Sequence, residues 1–102
     1  MEYRVEVTET AAVEIDDAYA WIRDRSPHAA QKWYEGLMTA LSSLRQNPRR
    51  CARVLASDFQ GSEIRQLIYG GRCGRYRVLF TIHGETVEVV RVLHGARAAV
   101  GR

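Results

Sequence analysis

Long apolar runs are missing from this sequence, and it opens on Met1-Glu2-Tyr3-Arg4-Val5-Glu6 with no apolar stretch like that of a signal peptide. Nothing approaches the ~18 consecutive apolar residues that a membrane span requires, so no membrane association is expected and the cytoplasm is the expected compartment. Cysteine is scarce. Cys51 and Cys73 stand apart, outside any Cys-x-x-Cys pattern and away from clustered histidine. This argues against a zinc site or a disulfide framework and predicts two reduced thiols, with no metal and no cofactor. Gly70-Gly71 and Gly74 match no phosphate-loop pattern and read as a flexible loop. Lysine is nearly absent: of fifteen basic residues, only Lys32 is not arginine.

What is present fits one domain spanning residues 1–102, 46% hydrophobic and 26% charged, which excludes a disordered tail protein. A chain this short buries a little over ~60% of its unfolded surface, enough to fold alone with little to spare. The net charge of +3 hides a division. Residues 1–48 carry five Lys/Arg against eight Asp/Glu, whereas residues 49–102 carry ten Arg against four Asp/Glu. Two surfaces of opposite sign are implied, the second suited to phosphate or to an acidic protein partner. Arginine's planar fork grips both groups at two points.

Tyr3-Arg4-Val5-Glu6-Val7 alternates as a half-buried strand does. Thr8 or Thr10 can cap a following helix whose buried stripe is Ala12, Ile15, Ala18, Tyr19 and Ile22. Ser26-Pro27 restarts the chain with an N-cap and a first-turn proline. A second stripe, Trp33, Leu37, Ala40, Leu41 and Leu44, ends before Asn47-Pro48. A linkage of two or three residues between these stripes predicts an antiparallel helical hairpin. Arg49 to Ser62 reads as an irregular connection, and Ile64–Tyr69, Tyr76–His83 and Thr86–Leu93 as strands. The expected fold is α+β, ordered β-α-α-β-β-β, with a small twisted antiparallel sheet packed on an N-terminal antiparallel helical hairpin.

Gly84-Glu85 suits a type II′ turn, which sets His83 opposite Thr86, Phe80 opposite Val89, Val78 opposite Arg91 and Arg77 opposite Val92. One face then carries Tyr76, Val78, Phe80, Ile82, Val87, Val89 and Leu93 as core. The other carries Arg77, Leu79, Thr81, Glu88, Val90, Val92 and His94, with Arg77 and His94 as diagonal neighbours. If Ile64 and Ile68 point to the core, Arg65 joins them. A one-residue slip would dismantle the cluster.

Arg75-Tyr76-Arg77-Val78-Leu79-Phe80-Thr81-Ile82, followed by Val87-Glu88-Val89-Val90-Arg91-Val92-Leu93-His94-Gly95-Ala96-Arg97, resembles the closing hairpin of the RelE/ParE toxin superfamily. The Trp33 helix, then Asn47-Pro48-Arg49-Arg50-Cys51 and Glu63-Ile64-Arg65, is similar to the middle section of these plasmid-stabilisation toxins. The resemblance runs from Tyr3 to Arg97. It implies the toxin of a type II toxin–antitoxin pair, held in a hetero-oligomer by a cognate antitoxin. RelE-like members cut mRNA in the ribosomal A site, whereas ParE-like members poison DNA gyrase without being nucleases. In RelE-like enzymes an arginine at the position of Arg77 contacts the scissile phosphate, and some relatives have a histidine at the position of His94. Their assisting lysines have no counterpart, and Ala98-Ala99-Val100-Gly101-Arg102 offers no aromatic. The long helical hairpin and the His-Gly-x-Arg ending are closer to ParE-like members.

If the domain is a nuclease, its candidate catalytic residues are Arg65, Arg77 and Arg97, as cations against the phosphorane charge, and His94, as the proton acceptor. Each also has a plainer reading: His94 as a strand-end histidine bonded to backbone, Arg77 as a solvated strand residue. Arg91, placed on the core side opposite Val78, is expected to snorkel its head group out or to find a carboxylate. Trp21 lies off the first helix's stripe, open to antitoxin contact or ordinary packing. Glu63 is a weaker candidate base. DNA binding by the basic half alone is disfavoured, because no recognition-helix motif occurs.

Overall fold

In the computed structural model, which describes residues 2–54, 63–71 and 74–95, the chain folds from two helices laid on one face of a five-stranded sheet. Strand β1 (Arg4–Val7) leads directly into α1 (Glu9–Arg25). Thr8, not Thr10, is the N-cap, its hydroxyl accepting from Ala11 N–H at 3.2 Å. The hairpin linker is a single residue, Ser26, shorter than the two or three expected, because that one residue serves both helix ends. Ser26 ends α1 through its own N–H to Ile22 O and caps α2 (Pro27–Ser42) by accepting from Ala29 N–H. Proline at the first helical position forfeits only an N–H that has no helical partner anyway.

Past α2, a 3-10 turn brings the chain to Asn47, whose φ of 48° is the one left-handed non-glycine among the described residues. Asparagine tolerates that conformation better than most side chains. The kink delivers Pro48-Arg49-Arg50, and Arg50 swings back over the helix end. Its Nη1 donates to Gln46 O at 2.7 Å and to Asn47 O at 3.1 Å, and its Nη2 donates to Ser43 Oγ at 3.1 Å. These bonds tie the guanidinium to the backbone and the Ser43 hydroxyl just past the helix end, where carbonyls lack helical partners.

The sheet order is β1-β5-β4-β3-β2, with β2 (Arg53–Val54), β3 (Ile64–Gly71), β4 (Gly74–His83) and β5 (Thr86–His94). It is antiparallel throughout except at β1, which runs parallel to β5. The α+β layout read from the sequence is observed, but the sheet is mixed rather than antiparallel as expected, because β1 runs parallel to β5, and two refinements follow. The irregular connection contributes the short β2, and the expected loop at Gly70–Gly74 contracts, since Gly71 and Gly74 already pair across the hairpin. Cys73 lies outside the described residues.

Side chains from both helices meet the sheet in one core. Ala11, Ile15 and Ile22 from α1 and Ala30, Trp33, Leu37 and Leu41 from α2 cover Tyr76, Val78, Phe80, Val87, Val89 and Val92. Trp33 sits against Tyr69 and Tyr76, with ring centroids at 6.3 and 5.2 Å. Tyr69 also donates its hydroxyl to Trp33 O at 2.8 Å, fastening β3 to α2.

That approach explains a glycine inside a helix. A Cβ on Gly36 would overlap the Tyr69 hydroxyl. Gly36→Ala gains about 1 kcal/mol of helix propensity. It also forces the hydroxyl away and strands a buried donor, at about 1–3 kcal/mol. The expected outcome is a net loss, read as a lower urea midpoint. A more stable variant would show that the contact is not tight.

Candidate functional site

The turn behaves as expected. Gly84 has φ 61°, as the first position of a type II′ turn requires, and His83, Ile82, Thr81 and Phe80 pair with Thr86, Val87, Glu88 and Val89. The register then shifts. Leu79 pairs with Arg91, Val78 with Val92, Arg77 with Leu93 and Tyr76 with His94, leaving Val90 as the extra residue of a β-bulge. The bulge sits just past Val7↔Val89, where β1 ends and β5 becomes an edge. There Thr8 N–H donates to Val89 O and the Thr8 hydroxyl donates to Val90 O.

One inserted residue exchanges the faces of everything after it. Val92, expected on the open face, is core, and Leu93 takes its place. His94 turns to the helix side, its ring edge-on to Tyr76 at 4.9 Å and against Gly74. Arg77 stays on the opposite face, with Nε donating to Gln66 Oε1 at 2.8 Å. The predicted Arg77–His94 diagonal is therefore corrected: these two side chains lie on opposite faces of the sheet.

Arg65 is corrected as well. Leu67 and Tyr69, rather than Ile64 and Ile68, face the helices, so Arg65 lies opposite Phe80 on the helix side. It is occupied there, with Nη1 donating to Cys51 O at 2.6 Å and Arg49 O at 3.0 Å, and Nη2 on Glu63 at 2.5 Å. Glu63 is thus an ion-pair partner in this geometry. Arg97 lies outside the described residues. Nor is the second face wet throughout, since Ile64, Leu79 and Thr81 are nearly inaccessible there.

Cys51 is buried, which pushes its thiol pKa up, while Arg50 and Arg65 pull it part of the way back. The thiol is therefore protonated at neutral pH, a packing residue rather than a nucleophile. Among the described residues, no group of three or more His, Cys, Asp or Glu could hold a metal ion. Also among them, no helix is long and apolar enough to cross a membrane.

Three features went unread in the sequence. Glu14 reaches the β5 edge, where Oε2 accepts from Arg91 Nε at 2.7 Å and Oε1 accepts from Val92 N–H at 2.7 Å. Arg91 thus finds a carboxylate as expected, but by wrapping the edge rather than from the core side. Arg50 is a helix-end brace. Arg25, four residues after Trp21, lays its guanidinium 3.7 Å from the centre of the indole and donates to Trp21 O at 3.1 Å. The i,i+4 spacing of Trp21 and Arg25 was a usable signal for this stack.

Comparison with known proteins decides the family. The family model described as "ParE toxin of type II toxin-antitoxin system, parDE" matches residues 5–99. The chain belongs to the ParE toxin family. It is the toxin component of a type II toxin–antitoxin system. A solved chain from the chromosomal ParDE TA system of P. aeruginosa has a TM-score of 0.70 at 18% identity, covering 91% of this chain and 96% of that one. At that identity the likeness supports the fold. No curated protein sequence matches the chain.

Proposed function

We propose that this ParE-family toxin arrests growth by engaging DNA gyrase as a protein ligand in the cytoplasm, without catalysis of its own, until a cognate antitoxin covers it. One observation carries the reading: among the described residues, the candidate side chains that RNA cleavage would need together, Arg65, Arg77 and His94, are not gathered at one point. General acid–base and electrostatic catalysis require base and cation within hydrogen-bond reach of one reacting phosphate. Arg77 and His94 have the thickness of the sheet between them, and Arg65 spends its guanidinium on two carbonyls and Glu63.

Arg77 has a better use in this reading. Directly across from it lies Ile68, 48% exposed on the same face. Among the described residues, only the Nε of Arg77 has a partner. An exposed apolar side chain beside a cation suits an antitoxin segment that alternates apolar and acidic residues.

Induction without antitoxin should produce double-strand DNA breaks while protein synthesis initially continues. His94→Gln should leave toxicity within about twofold, and Arg77→Glu should weaken the antitoxin complex about tenfold or more by placing like charges together. Immediate translational arrest with A-site mRNA cuts, abolished by His94→Gln, would instead establish the ribosome-dependent endoribonuclease.

A further inference from the structure

The solvent face of α1 carries a surface that the core does not explain. Val13, Asp17 and Trp21 recur every four residues and so line one side of the helix. Val13 is 51% exposed and Trp21 49%. Around them stand Glu9, Asp16 and Asp24, all exposed. Among the described residues, neither Asp16, Asp17 nor Asp24 takes part in an ion pair. Of the nearby arginines of α1, Arg23 lies over the Tyr19 ring, and Arg25 is part of the ridge itself, stacked on Trp21.

Two aspects of this ridge set it apart from an ordinary wet helix face. The indole is held in place before any partner arrives, braced by a guanidinium that is itself tied to the backbone. A preordered tryptophan loses little side-chain freedom on binding, and tryptophans dominate the energetic centres of interfaces. The surrounding charge is net negative, with the four exposed carboxylates of Glu9, Asp16, Asp17 and Asp24 against Arg23 and Arg25, and that balance selects the partner. Carboxylates repel nucleic-acid phosphates and anionic lipid headgroups, so the occupant is a protein surface with an apolar pocket rimmed by Lys or Arg.

We infer that the Val13–Asp17–Trp21 ridge of α1 is the surface with which this toxin grips its protein target, docking Trp21 into an apolar pocket flanked by basic residues. The inference rests on the gyrase reading above and assigns that contact to a face distinct from the Ile68–Arg77 patch. Such a separation accounts for the opposite charges of the chain's two halves, with an acidic helix face for a basic target and an arginine-bearing sheet face for an acidic antitoxin segment.

The test uses the full-length toxin, with purified gyrase and purified antitoxin as separate probes. Trp21→Ala should weaken gyrase binding about 30-fold or more, the loss expected of a central aromatic anchor. Asp17→Arg should weaken it about tenfold and flatten its dependence on salt. Both variants should bind antitoxin within about twofold of wild type and melt normally, because both side chains are exposed. If the wild type itself fails to bind gyrase, the gyrase reading falls, and this inference with it. If the wild type binds while both variants bind equally well, only the ridge assignment is overturned. Loss of antitoxin binding with gyrase binding retained would also overturn it, giving the ridge to the antitoxin.

Discussion

Trp33→Ala is expected to cost about 3–5 kcal/mol, the usual range for deleting a fully packed aromatic side chain. That is a large share of the about 5–15 kcal/mol that holds a domain together. Trp33 is 5% exposed and touches the rings of Tyr69 and Tyr76, so truncation opens a cavity between α2 and two strands at once. Trp33→Phe should behave differently. Among the described residues the buried indole Nε1 has no hydrogen-bond partner, a penalty that phenylalanine does not carry. Relief of about 1–3 kcal/mol offsets most of the lost ring area, so this variant should melt within about 1 kcal/mol of wild type. Urea unfolding of the three proteins makes the comparison. An alanine variant losing under about 1 kcal/mol would mean that the aromatic cluster contributes little packing.

The helices were legible because each carries its own instructions. Ser26 accepts from Ala29 N–H and Pro27 needs no N–H, so the break and restart are written in two adjacent residues. Stripes at helical spacing named most of the core, including Trp33, Leu37, Leu41 and Leu44. Near its turn the β4–β5 hairpin was equally readable, because Gly84 at φ 61° determines four consecutive pairs. Beyond Val89 the signal failed. Val89, Val90, Val92 and Leu93 are all apolar, so alternation cannot say which of them faces inward. The contact that accompanies the inward turn of Val92 comes from Glu14, more than seventy positions earlier, whose carboxylate accepts from the Val92 N–H. A bulge partnered by a distant carboxylate leaves no mark in the local pattern. The same failure moved His94 and Arg77 to opposite faces, and with them the candidate site.

Glu14→Ala should therefore be among the most damaging single changes outside the core. It removes two partners together: the Arg91 guanidinium, with Nη2 also 2.7 Å from Oε2, and the Val92 N–H that the bulge turns toward the edge. The carboxylate side chain is 21% exposed and that of Arg91 39%, so water screens part of the charge interaction and moderates its worth. A stranded backbone donor plus a broken charge-assisted pair still sums to about 2–3 kcal/mol. Glu14→Gln should lose less, because an amide oxygen can continue to accept from Val92 N–H while only the bond to Arg91 is lost. Arg91→Met should lose least, about 1 kcal/mol, since it spares the backbone bond. If the two side chains act as a unit, the double variant Glu14→Ala with Arg91→Met will be less destabilised than the two single losses combined. An accompanying change should appear in solution behaviour. Exposing the β5 edge between Val90 and Leu93 offers unpaired backbone to a second copy, so light scattering of Glu14→Ala should rise with concentration where wild type stays flat. Urea midpoints within ~0.5 kcal/mol of wild type, with no added scattering, would mean that the bulge is held by β5 and β4 alone.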